Sequence, residues 1–131
     1  MPKTKKTEIN KELWPTKDET KMFDILYPMI KSDLEEIREL SKKKQDEPLN
    51  DFKVKTLNKK LEKAKGILRY EPTVEFLDLL DEETMPTNSD AVLQITQFIS
   101  AMVNFRKKYY VSSGMELGLE DDYSDEWKTK D

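Results

Sequence analysis

Between Phe23 and Ile37 the apolar residues fall at Phe23, Leu26, Ile30, Leu34 and Ile37. Steps of three and four residues bring such positions onto one line only in an α-helix, so this stretch must be a helix with one buried stripe. The pattern opens near Asp18. Pro28 lies inside it, where proline removes a donor and crowds the carbonyl one turn back, so it must either kink the helix or start it. The "KKKQDEP" stretch ends the element, and Pro48 suits the opening of the next.

A second helix is predicted over about Leu49–Tyr70, with a narrow seam of Val54, Leu57, Leu61, Ala64 and Leu68. Gly66 weakens it slightly. The "EPT" at Glu71–Thr73 breaks the chain, and a short helix from about Thr73 to Glu83 is expected to bury Phe76, Leu77 and Leu80. After "TMPTNSD", with Thr87 or Asn88 placed as a cap, a last helix of about Ser89–Val111 carries the widest apolar stripe. Ala91, Val92, Ile95, Phe98, Ile99, Met102, Phe105, Tyr109 and Tyr110 cover nearly half its circumference, which places it at the centre of the fold. No strands are needed. The expected fold is all-α, a small antiparallel bundle of three long helices and one short. It spans residues 18–111, between an extended, lysine-rich arm (1–17) anchored through Trp14 and an acidic-aromatic C-terminal tail (112–131).

Composition closes off several chemistries. The chain has no cysteine and no histidine, which removes thiolate sites, disulfides, the commonest general base and the commonest metal ligand. No apolar run is long enough to span a membrane, and the N-terminus lacks the apolar core of a secretory signal, so a cytoplasmic setting is expected without membrane contact. The formal net charge of −4 is concentrated at one end. Seven of the 27 acids (Glu116, Glu120, Asp121, Asp122, Asp125, Glu126 and Asp131) and two of the 23 bases (Lys128 and Lys130) lie from Met115 onward, leaving 20 acids and 21 bases elsewhere. The body is nearly balanced and the tail holds the acidity.

"EEIRE" (Glu35, Glu36, Glu39) followed by "EFLD" (Glu75, Asp78) resembles the EExxE…ExxD pattern of MazG-like all-α nucleoside triphosphate pyrophosphatases. The resemblance covers two short motifs. It implies carboxylates on facing helices that hold Mg²⁺ ions for a triphosphate. The helical period, however, sets Glu35 and Glu39 about 160° from the Leu26–Ile37 stripe. Glu75 and Asp78 likewise face away from Phe76, Leu77 and Leu80. Metal-binding carboxylates in a bundle project inward. The residues themselves therefore read as solvated, with no metal site and no cofactor expected.

Lys55, Lys59 and Lys63, with Lys60 beside them, form a basic line opposite the second helix's seam. Such a line keeps a bundle soluble, or contacts phosphate or an acidic partner. Nucleic acid is the less favoured target, because no Gly, Arg or aromatic residue interleaves the lysines. In "NFRKKYY" (Asn104–Tyr110) the cations offset the helix dipole, and the tyrosines are expected at the rim of the core.

The tail is different. A purely solvating acidic tail has no use for Leu117, Leu119, Tyr123 and Trp127. Acids mixed with large apolar side chains suit a segment that docks on a basic, partly apolar groove. The candidate partner-binding residues are Leu117, Leu119, Asp121, Asp122, Tyr123, Glu126 and Trp127. The competing expectation folds the tail back, with Trp127 covering an apolar patch of its own domain. Together these features lead to the expectation of a non-enzymatic interaction module, a small regulatory or accessory subunit that binds a protein partner through its tail and an exposed side of the central helix, and could self-associate. An acidic inhibitor or immunity-type protein that blocks a basic nuclease is the second expectation. The pyrophosphatase is the third. The composition would suit a viral or mobile-element protein without establishing an origin.

Overall fold

The computed structural model describes residues 11–112 and 125–131. Three α-helices dominate it: α1 (Lys17–Lys44), α2 (Asp51–Ile67) and α3 (Asn88–Tyr109). Each begins at the cap its sequence supplies. The Thr16 hydroxyl accepts from the Glu19 amide while the Glu19 carboxylate accepts from the Thr16 amide, a reciprocal capping box. Asn50 caps α2 through the Lys53 amide, and Thr87 caps α3 through the Asp90 amide. Helix α1 runs through Pro28 without a break. Pro28 is exposed, and the Asp24 carbonyl one turn back forgoes its helical donor there.

Contacts fix the directions of the helices. Phe23 stacks on Phe105 at one pole, and the Asn88 side chain donates to the Lys44 carbonyl at the other, so α3 runs against α1. Arg69 pairs with Glu19 and Lys53 with Glu36, so α2 also runs against α1. The buried stripes meet in one core of Phe23, Leu26, Ile30, Leu34 and Ile37, the Val54–Leu68 seam, and Ala91, Ile95, Phe98, Met102 and Phe105. All five members of each predicted stripe on α1 and α2 are buried. At the far pole the two loop segments are sewn together by Leu49 N–H to the Pro86 carbonyl (2.8 Å) and Asn88 N–H to the Glu47 carbonyl (2.8 Å).

Because α2 and α3 are parallel, the chain must return the length of α2, about 25 Å at the helical rise, before α3 can start. This return corrects the expected short helix over 73–83. A 3₁₀ turn occupies Pro72–Phe76, and Leu77 then adopts extended dihedrals. Phe76 is 65% exposed rather than buried, while Leu77 and Leu80 do enter the core. Asn58 holds the returning strand. Its amide donates to the Leu80 carbonyl and accepts from the Leu80 N–H, both at 2.9 Å, as a neighbouring β-strand would. Side-chain pairing of this kind satisfies a backbone that has left the helix inside the core.

The expectation that no strands are needed is also corrected. β1 (Tyr110–Ser112) pairs antiparallel with β2 (Asp125–Trp127), with Tyr110 opposite Trp127 and Ser112 opposite Asp125. Tyr110 accordingly leaves the helix and is half-buried in this ribbon instead of lying on the buried face of α3. No described helix is long and apolar enough to cross a membrane.

Candidate functional site

Of the candidate partner-binding residues, Leu117, Leu119, Asp121, Asp122 and Tyr123 lie outside the described residues; Glu126 and Trp127 lie within them. Trp127 turns inward. Its ring packs against Phe23 (centroids 5.0 Å apart), Tyr110 (5.2 Å) and Phe105 (6.0 Å), and its indole N–H donates to Asp24 at 3.3 Å. Residues beyond it continue as a strap across the same pole. Lys128 N–H donates to the Tyr109 carbonyl, Lys130 N–H to the Pro15 carbonyl, and Asp131 accepts from the Lys17 amide in the first turn of α1, where a carboxylate is favoured by the helix dipole. Trp14 lies against Tyr109 with Lys128 over its ring, so the expected anchor of the arm shares this cluster. Glu126 stays exposed on the ribbon. The segment 113–124 is therefore joined at both ends to one pole of the bundle.

The basic line on α2 is divided. Lys60 pairs with Asp33 of α1 at 2.6 Å in a largely buried contact, and Lys55 pairs with Asp51 one turn earlier. Lys59 and Lys63 are exposed, with no ion pair among the described residues. At the head of the same line stands Phe52, 76% exposed and beside a cleft of about 210 Å³ lined by Asp33, Glu36, Ile37, Lys53, Thr56 and Leu57.

The carboxylates of the pyrophosphatase-like motifs are scattered over the surface. Glu36 is taken by Lys53 (2.7 Å) and Glu39 by Lys42 (3.1 Å), while Glu35, Glu75 and Asp78 are exposed. No group of three or more acidic side chains able to hold a metal ion occurs among the described residues. Shifted ionisations belong to structural contacts. Burial pushes the Glu19 carboxyl up, but the Thr16 amide and Arg69 outweigh it and leave it below its ordinary value. Burial raises the Tyr109 hydroxyl, Lys108 opposing and Glu71 assisting.

A second groove joins residues that periodicity alone leaves on separate helices. Tyr27 of α1 and Val103, Arg106, Lys107 and Tyr110 of the α3 end line a shallow depression of about 320 Å³. The Arg106 guanidinium lies 4.6 Å from the Tyr110 ring centroid, and Lys31 stands 5.8 Å from that of Tyr27. The run of three cations followed by two tyrosines in "NFRKKYY" was the available signal. What turned it into a groove is Tyr27, stacked on Phe23 at 5.8 Å. Compared with protein-family models, curated proteins and solved structures, the chain matches none of them.

Proposed function

We propose that this chain is a non-enzymatic, cytoplasmic protein-interaction module, in which a small helical bundle presents the acid-rich segment 113–124 to a protein partner. The observation that carries the reading is the antiparallel pairing of β1 with β2, which joins both ends of that segment to one pole. Holding both ends lowers the ordering cost of docking relative to a free tail. Leu117, Leu119 and Tyr123 are the apolar contacts, and Asp121, Asp122 and Glu126 meet the partner's cations. Trp127 serves as the anchor. A further exposed face, the outer line of α2 with Phe52, Lys55, Lys59 and Lys63, suits an acidic patch on the same partner.

The test is co-purification from the native cell. Leu117→Ser, Leu119→Ser and Tyr123→Ser with Asp121→Asn and Asp122→Asn leave the strap from Asp125 to Asp131 untouched. Partners held by the segment are lost from this variant. Retention of every co-purifying protein would refute the reading. Deleting residues 115–131 outright tests something else, because it removes Trp127 from the core.

A further inference from the structure

The groove between Tyr27 and the α3 end points to a second docking surface, and we infer that it receives an acidic peptide segment of a protein partner that carries aliphatic side chains. Arg106 and Lys107 line it, and Lys31 stands over the ring of Tyr27. Arg106, Lys107 and Lys31 make no ion pair among the described residues, whereas their neighbour Lys108 reaches both oxygens of Glu71 at 3.2 Å. Offsetting the dipole of α3 explains cations in its last turn, but it does not explain Lys31, which stands on α1. Asp24, one turn before Tyr27, accepts from the Trp127 indole rather than from any of the three. Half-buried Val103 adds an aliphatic side chain to the lining of the groove.

The same geometry favours a peptide over a nucleic acid. Single strands bind by stacking bases on open aromatic faces. Here Tyr110 is capped by Arg106 and Tyr27 by Lys31, so one face of each ring is covered while the cations stay exposed. The formal net charge of −4 also opposes a long polyanion more than a short acidic segment.

The probe is a short fluorescein-labelled peptide rich in aspartate and glutamate with two leucines, followed by fluorescence anisotropy against the full chain. Saturable, salt-sensitive binding is expected. Arg106→Glu with Lys107→Glu weakens it by about tenfold, since two attractions become repulsions. Arg38→Glu with Lys43→Glu, three or more turns further along α1 than Tyr27, changes it less than about twofold, because those positions lie away from the groove. All four positions are exposed, so an unchanged thermal melt certifies each variant. No binding to the intact chain overturns the inference, as does an equal loss with both charge reversals. Tighter binding of a single-stranded oligonucleotide of equal charge also overturns it. So does binding that emerges only after Glu116, Glu120, Asp121 and Asp122 are neutralised, which would assign the groove to the chain's own acids.

Discussion

Replacing Asn58 by alanine removes the one side-chain pairing that, among the described residues, holds the returning segment against α2. Asn58 is 5% exposed, and its amide satisfies both the N–H and the C=O of Leu80. After Asn58→Ala both backbone groups lose their partner. Each unsatisfied buried group costs about 1–3 kcal/mol, and partial relaxation of the strand brings the sum to about 3 kcal/mol. Against a typical domain stability of about 5–15 kcal/mol this is a large fraction. It corresponds to a fall in Tm of roughly 10 °C for a chain of this length. Urea unfolding followed by far-UV circular dichroism measures it directly. Asn58→Asp sharpens the test. The carboxylate still accepts from the Leu80 N–H, but it replaces a donor to the Leu80 carbonyl and faces Glu82, which the amide now bonds at 2.9 Å. Burial and the second carboxylate raise the folded-state pKa of the new acid above its unfolded value of about 3.9. A raised pKa means that stability falls as pH rises through that range. The deficit of Asn58→Asp is therefore smaller near about pH 4 than near about pH 8. A loss under about 1 kcal/mol for Asn58→Ala, or a pH trend of opposite sign for Asn58→Asp, refutes the account.

Trp127→Ala removes a half-buried ring from three aromatic neighbours and is expected to cost about 2–3 kcal/mol, below the figure for a fully buried tryptophan; a melt unchanged by the substitution would detach the strap from the folded unit. Glu19→Gln lowers stability at neutral pH by about 0.5–1 kcal/mol through the capping box. Because the Glu19 pKa is depressed on folding, its contribution is present above the unfolded value of 4.5 and is lost as pH falls through the lower folded value, so the variant shows a shallower acid limb in pH-dependent melts. Gly66→Ala stabilises by about 0.5–1 kcal/mol, since a Cβ there meets no atom within 4 Å and helical alanine is favoured; destabilisation in urea would contradict this. With Mg²⁺ or Mn²⁺, a panel of nucleoside triphosphates yields no hydrolysis above buffer, and turnover abolished by Glu35→Gln or Glu39→Gln would overturn the non-enzymatic reading.

The three helices were legible because each carries its own evidence, a 3.6-residue apolar stripe and a polar cap within four residues of its start. The helix over 73–83 was misread for a physical reason. Phe76, Leu77 and Leu80 have helical spacing, and nothing nearby shows that the hydrogen bonds of Leu80 are supplied by Asn58, 22 positions earlier. The ribbon was hidden in the same way. Tyr110, Val111 and Ser112 suit a strand, but Asp125 and Glu126 do not, and their pairing is decided by where Trp127 finds its aromatic seat. The outward facing of Glu35 and Glu39 needed only the helical period, whereas the groove at Tyr27 needed the crossing of two helices.

The strap at the Trp127 pole has a consequence for the order in which the molecule is made. Its contacts with the N-terminal part of the fold join residues 103 to 118 positions apart, from Trp127 to Asp24 and from Lys130 to Glu12. Contacts of such separation carry the largest loop-closure cost and form late. During synthesis, the first turn of α1 lacks these partners until residues 125–131 are made, and Phe23 keeps open the apolar face that Trp127 later covers.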